Sequence, residues 1–293
     1  MADKILVTGA TGNVGSEVLR RLAALGQPVR ALIRNRSKAA AIEGPGVEIV
    51  EGDLEKPETL AAAVAGARKI VLISAPDPRQ ADLQANLIDA AGRADIRHIV
   101  KVSAMGAAPD STVSFCRWHA ATEQYLAQSG IPFTILRPNF FMQNTLGFAG
   151  TIASEGKFYG SMKDGRSGFV DVRDVGAVAA HAVASGGHEG KTYAVTGPEA
   201  LSFADIAQKL SAVLQKKVTY VDIPRDALIQ SMTGAGMPIW MARGIAELYD
   251  WASQGGASEV TDVVATVAKT KPTTFDQFAA EFAPAFASTA AAG

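Results

Sequence analysis

The sequence predicts an α/β fold: a doubly wound parallel sheet built from residues 1–145, rejoined by 169–196, with a smaller C-terminal lobe drawn mainly from 146–293. Three observations predict it. Short apolar runs rich in β-branched residues recur through the first half of the chain, as strands buried on both faces require. Segments of helical period separate them, which is the alternation of a parallel sheet covered on both sides. The first run, Ile5, Leu6 and Val7, ends in three evenly spaced glycines, Gly9, Gly12 and Gly15.

Behind those glycines, Val18, Leu19, Leu22 and Leu25 repeat at helical spacing. Strand, glycine turn and helix together form an anion site. The first N–H groups of the helix lack intrahelical acceptors, and the helix dipole favours negative charge there. Glycine lets the turn take positive φ and lets a pyrophosphate approach the backbone. This is the Rossmann-type arrangement for a dinucleotide, in the context the motif needs.

Gly26 and Pro28 stop the first helix, and the second strand spans 29–33. An NAD enzyme of this type carries an acid at this strand end for the ribose hydroxyls. Here the chain continues into Arg34, Arg36 and Lys38 instead. Guanidinium groups suit a 2′-phosphate through charge and paired donors, so NADP(H) is expected over NAD(H). A third strand over 47–54 brings Asp53 and Leu54 to its carboxyl end. A helix over 57–64 and a fourth strand over 69–74 follow, and the rigid loop Ser74-Ala75-Pro76-Asp77-Pro78 is expected to lie over the middle of the cofactor. A helix over 79–91 leads to the fifth strand, 98–103, then a helix over 117–128 and a sixth strand over 133–137. The stretch after it, 138–144, mixes two aromatics, a methionine and two amides, which suits an apolar pocket with a few polar anchors.

Beyond this the alternation becomes irregular. The pattern gives a short strand and turn over 168–174, a helix over 175–184 with Asp174 as its N-cap, and a strand over 191–196. Ser202 and Asp205 form a capping box for a helix over 203–214, and a last strand covers 217–222. Residues 232–251, rich in Met, Trp and Gly, read as a helical flap over the pocket. Residues 272–278 dock the final helix, and 286–293 form a frayed tail of small residues.

Composition narrows the function classes. The chain has 293 residues, 48% hydrophobic and 19% charged, enough for a sizeable core. A net charge of −1 gives no reason to expect nucleic acid or an anionic membrane as partner. The single cysteine, Cys116, excludes an internal disulfide and a cysteine-rich zinc site, and no metal is expected. The chain enters a strand almost at once and contains no apolar run long enough to span a bilayer, so a soluble, cytoplasmic protein is expected. Beside Arg117, Cys116 suits either a reactive thiol or, more in keeping with its residue type, an inert buried one.

The segments Thr8-Gly-Ala-Thr-Gly-Asn-Val-Gly15, Gly52-Asp-Leu54, Val102-Ser103, Ser129-Gly-Ile-Pro-Phe-Thr-Ile-Leu-Arg-Pro138 and Phe169-Val-Asp-Val-Arg-Asp174, with Arg34 and Asn144, carry a family likeness. The chain resembles the atypical and extended short-chain dehydrogenase/reductases, in particular the NmrA-like family, which includes NADPH quinone reductases and triphenylmethane reductases. The resemblance implies cofactor contacts from Gly9, Thr11, Gly12, Asn13, Val14, Gly15, Arg34, Asp53, Leu54, Ser74, Ala75, Pro76, Lys101, Ser103 and Pro138. It implies an acceptor pocket in the C-terminal lobe side of the sheet, with Asn139, Phe140, Phe141 and Asn144 as substrate-binding residues.

Typical members carry Tyr-x-x-x-Lys at the start of the helix after the fifth strand. Here the aligned residues are Phe115-Cys-Arg-Trp-His119. Phe115 has no proton to give, His119 stands in place of the lysine, and Ser103 matches the usual serine. His119 and Ser103 are the catalytic candidates, His119 either holding the ribose, donating a proton, or having no chemical role. Without the phenol, acceptors that need no positioned acid are favoured: quinones and dyes, stacked on Phe140, Phe141 or the flap. The competing reading is a non-catalytic NADP(H) redox sensor of the NmrA type that reports to a protein partner. The sequence leaves the oligomeric state open.

Overall fold

A computed structural model of the chain describes residues 3–288. The first half runs β1 (Ile5–Val7), α1 (Asn13–Ala24), β2 (Val29–Ile33), β3 (Val47–Glu51), α2 (Pro57–Val64), β4 (Lys69–Leu72), α3 (Gln80–Gly92), β5 (His98–Val102), α4 (Ser114–Gln128) and β6 (Phe133–Pro138). The second half runs α5 (Ala149–Glu155), β7 (Lys157–Gly160), β8 (Arg166–Ser167), α6 (Val172–Ala184), β9 (Thr192–Val195), β10 (Leu201–Ser202), α7 (Phe203–Leu214), β11 (Thr219–Asp222), α8 (Arg225–Gly234), α9 (Ile239–Ser253), α10 (Val263–Val267), α11 (Phe275–Glu281) and α12 (Ala283–Ala287). Seven parallel strands pair in the order β3-β2-β1-β4-β5-β6-β9. The strand order reverses between β1 and β4, which opens a crevice at their carboxyl ends.

Strand alternation sorts the core into two faces. Ile5, Val7, Ala31, Ile33, Val71, Val100 and Val102 pack against α1 and α6. Leu6, Leu32, Ile70, Leu72 and Ile99 face the other way, onto α2, α3 and α4. Lys101 falls on this second face by the same alternation, a charged residue where its neighbours are apolar. A third cluster, with Phe158, Phe169, Phe203, Phe275 and Phe278, makes the core of the C-terminal region. Two small sheets brace it: β7 pairs parallel with β11, and β8 antiparallel with β10.

Several boundaries differ from the sequence reading. Helix α4 begins at Ser114 rather than 117, so Phe115 and Cys116 lie inside it. Helix α6 begins at Val172, capped by Asp171, whose carboxylate accepts from the Arg173 N–H. Asp174 is instead buried in the first turn and accepts from the Thr273 N–H at 2.7 Å. The 232–251 stretch is the end of α8 and most of α9, not one flap. The helix docked by 272–278 is not the last. Phe286, assigned above to a frayed tail, is buried in α12, while residues 289–293 lie outside the described part of the chain. The Ser202/Asp205 capping box of α7 is present as read, and Thr274 with Gln277 forms another at α11. Among the described residues no helix is long and apolar enough to cross a membrane.

The tightest point of the fold is the glycine turn. Gly9 has φ +58°, and a Cβ on Gly15 would lie 2.1 Å from the Gly9 carbonyl oxygen. That oxygen belongs to the backbone and cannot swing away as a flexible side chain would. Gly15→Ala is therefore expected to destabilise the protein by about 3 kcal/mol, the upper end of overpacking changes. Urea unfolding checks this, with Gly26→Ala, a positive-φ site with open space around it, as the comparison.

Candidate functional site

A cleft of about 670 Å³ runs across the carboxyl ends of β1, β2, β3, β4 and β5. Its floor is Thr8 to Gly15, one end holds Leu32, Arg34, Asp53 and Leu54, and the other holds Val102, Ser103, His119 and Phe141. Ser74, Ala75, Pro76 and Asp77 line the side above β4. Thr8 fixes the floor to this loop: its Oγ1 donates to the Ile73 carbonyl at 2.6 Å and accepts from the Ile73 N–H at 2.8 Å. Helix α1 starts at the cleft with Gly12 as N-cap and no side-chain cap, so its first N–H groups face the opening. These residues fit a dinucleotide. The glycine turn is packed so closely that a Cβ at Gly15 would strike the Gly9 backbone, and the open helix start it holds at the cleft suits a pyrophosphate.

The cleft brings together Gly9, Thr11, Gly12, Asn13, Val14, Gly15, Arg34, Asp53, Leu54, Ser74, Ala75, Pro76, Ser103, His119 and Phe141. Other candidates fall outside it. Arg36 is exposed at the start of a 3₁₀ turn capped by Asn35 and does not line the wall, and the side chain of Lys38 lies outside the described residues. Pro138 is buried at the end of β6, paired with Val195. Asn139 is committed to structure: its Nδ2 donates to the Ala257 carbonyl, and its Oδ1 accepts from Ser167 and from the Phe140 N–H. Phe140 stacks on Tyr249 and meets Phe169 edge-on in the C-terminal core, and Asn144 is exposed away from the cleft. Of the proposed acceptor residues, only Phe141 reaches this cavity.

The two catalytic candidates behave differently from one another. Ser103 Oγ donates to Glu123 Oε1 at 2.5 Å, and Arg137 holds the same carboxylate through Nε at 3.1 Å and Nη2 at 2.5 Å. The serine proton is thus turned away from the cleft and toward α4. His119 lies one helical turn before Glu123, with its ring on the cleft wall. Its Nδ1 is 3.0 Å from Gln80 Nε2 and 2.9 Å from Lys101 Nζ. Burial, reinforced by the Lys101 charge, holds His119 well below the ordinary histidine pKa. The ring is neutral near pH 7, and with Nδ1 facing two donors it carries its proton on Nε2.

Lys101 is fully buried and does not touch the cleft, so the direct cofactor contact expected of it gives way to a position behind His119. Burial lowers its pKa to about 7, with Glu123 pulling it up and Arg137 pushing it further down. Gln80 and Gln84, on one face of α3, complete the surroundings; Gln84 Nε2 donates to Ser74 Oγ at 2.7 Å. Sequence reasoning missed both glutamines and the role of Lys101. The available signals were two amides four residues apart on a buried helix face and one cation in an otherwise apolar strand.

Phe115, aligned above with the tyrosine of typical short-chain members, is not among the residues lining the cleft. Its ring packs against α9, where a Cβ on Gly244 would lie 2.4 Å from it, and it meets Trp118 and Trp240 edge-on. Helix α9 therefore docks on α4, α8 packs on α9, and no residue of either helix is among those lining the cleft. Cys116 is buried, donates to the Met105 carbonyl at 3.2 Å, and is pushed up to about 11 by burial, an inert thiol rather than a reactive one.

Lys101 has a consequence for stability. It titrates at 10.5 in its ordinary state and at about 7 in the folded protein. Between those values the unfolded chain binds more protons, so rising pH favours folding, and below them the buried charge carries its full penalty. Lys101→Met is expected to raise stability by on the order of 1–3 kcal/mol at pH 6, less the lost hydrogen bond to His119. The gain shrinks toward nil as pH approaches 10, and thermal melts across that range check it.

Comparison with known proteins agrees with this geometry. Residues 1–279 match the NmrA-like family. The NAD(P)H azoreductase of Xenophilus azovorans is 41% identical over 282 residues, spanning 96% of this chain and 99% of its own. The crystal structure of the NADPH-dependent quinone oxidoreductase of Escherichia coli with NADPH superposes with a TM-score of 0.89 at 29% identity, covering 95% of this chain and 99% of that one. The triphenylmethane reductase of Citrobacter sp. complexed with NADP(H) gives 0.86, also at 29% identity and with the same coverage. The chain belongs to the NmrA-like family, among its NAD(P)H-dependent oxidoreductases.

Proposed function

We propose that this protein is an NADPH-dependent reductase of flat, conjugated acceptors such as quinones and dyes. The observation that carries the proposal is the single cleft joining a glycine-floored anion cradle and Arg34 at one end to His119, Ser103 and Phe141 at the other. The relatives named as azo, quinone and triphenylmethane reductases support the acceptor class.

In this reading the Gly9–Gly15 turn and the start of α1 hold the pyrophosphate, and Arg34 pairs with the 2′-phosphate. Asp53 and Leu54 border the adenosine end, and Ser74 to Pro76 border the middle. The bound dinucleotide supplies a hydride to the acceptor. The chain's own residues hold the two partners together, with Phe141 offering a ring face for a flat acceptor and the buried wall around Val102 excluding water. Ser103, its hydrogen bond donated to Glu123, positions α4 rather than supplying an acid. The site therefore suits acceptors whose reduced form is stabilised by resonance or neutralisation.

Two measurements test this. Purified protein is expected to oxidise NADPH in the presence of a benzoquinone or a cationic triarylmethane dye. Tight nucleotide binding without turnover of either would overturn the reductase and leave the sensor. Arg34→Ala is expected to lower kcat/KM for NADPH by roughly 10- to 100-fold, the worth of lost charge-assisted hydrogen bonds, while changing NADH far less. Equal losses for both nucleotides would remove Arg34 from 2′-phosphate recognition.

A further inference from the structure

We propose that Lys101 is the proton source of the site, acting through His119 as a relay that protonates the reduced acceptor. This deepens the reductase reading and rests on it. The geometry is a three-atom path from the protein interior to the cleft. Lys101 Nζ sits on β5 behind the cleft wall, 2.9 Å from His119 Nδ1. His119 itself lines the cleft, and Gln80 Nε2 is also directed at its Nδ1, at 3.0 Å. The opposite ring nitrogen, Nε2, carries the hydrogen and belongs to a ring that lines the cavity.

The step balances. A neutral quinone that has gained a hydride is left as an oxyanion, one proton short. Its oxygen takes the hydrogen from His119 Nε2, forming an O–H bond and breaking an N–H bond. The ring electrons shift, and Nδ1 takes a hydrogen from Lys101, whose ammonium becomes a neutral amine. The oxyanion and ammonium are both neutralised, and the imidazole is left as its other neutral tautomer. After product leaves, a proton from solvent in the cleft restores Nε2–H while Nδ1 returns its proton to Lys101.

The direction is downhill. A phenolate-like oxyanion titrates at roughly 10, and the buried ammonium gives up its proton more readily than that. The imidazole need never become a cation, which its burial opposes. The charged groups around Lys101 serve the same end. Glu123 on α4 keeps the ammonium populated, Arg137 on β6 limits how firmly it is held, and His119 itself is neutral. The phenol missing at Phe115 is thus replaced by a donor from a different strand. A cationic dye, which becomes neutral on receiving hydride, needs no such proton, and this separates the relay from a role in positioning.

The test uses the whole protein. Lys101→Met is expected to lower the ratio of benzoquinone to cationic-dye turnover by roughly 10- to 100-fold, the low end of general acid catalysis. In wild type that same ratio is expected to fall as pH rises through the titration of Lys101. Imidazole ¹⁵N spectra give a readout independent of turnover: His119 is expected as the Nε2–H tautomer at pH 6, with Nδ1–H gaining population by pH 9 and in Lys101→Met. A folded Lys101→Met with an unchanged ratio overturns the relay alone and leaves the reductase reading standing. A wild-type His119 that is Nδ1–H at pH 6 overturns the relay even if the variant fails to fold. Wild type that reduces neither acceptor overturns the reductase reading, and the relay with it.

Discussion

The approach of α1 to the turn after β1 is the constraint from which the rest follows. The Gly9 carbonyl occupies the space where a side chain on residue 15 would be. That contact sets the start of α1 against the carboxyl ends of the strands, with its uncapped N–H groups facing the crevice where the strand order reverses. Thr8 extends the same junction to the loop after β4 by bonding both polar groups of Ile73. A looser turn would leave the helix dipole aimed elsewhere, and the cleft would lose its anion cradle.

The far end of the cleft obeys a second constraint, the burial of charge. Lys101, Ser103 and Arg137 share the sheet face that meets α4, and α4 answers with His119 and Glu123 one turn apart. Each of these five side chains has a hydrogen-bonding partner in the cluster, as burial demands. Ser103 and Arg137 are occupied by Glu123, while His119, held neutral by burial, is the group to which the proposed relay assigns the proton transfer. Phe115 meanwhile secures α9 to α4 through Gly244, so its ring is given over to packing.

Much of this was legible in the sequence because it rests on local patterns. The apolar runs, the glycine spacing and the Ser202/Asp205 box each act within a few residues, and strands, cleft floor and cap stand where those patterns put them. Arg34 was legible for the same reason, as the residue directly after a strand. The rest depends on contacts between segments far apart. Asn139 and Phe140 have the composition of a pocket but are used up by Ala257, Ser167 and Tyr249, which no window around residue 139 contains. Gln80 acquires meaning only when α3 and α4 are side by side. Asp174 looked like a cap because the helix start was placed three residues late, and Asp171 does that work.

The account stands on the glycine turn holding a nicotinamide dinucleotide. Titration calorimetry of the wild-type protein with NADPH measures this most directly. The account predicts one NADPH per chain with a dissociation constant in the micromolar range or below, about −8 kcal/mol or tighter. No heat of binding at millimolar NADPH would contradict it.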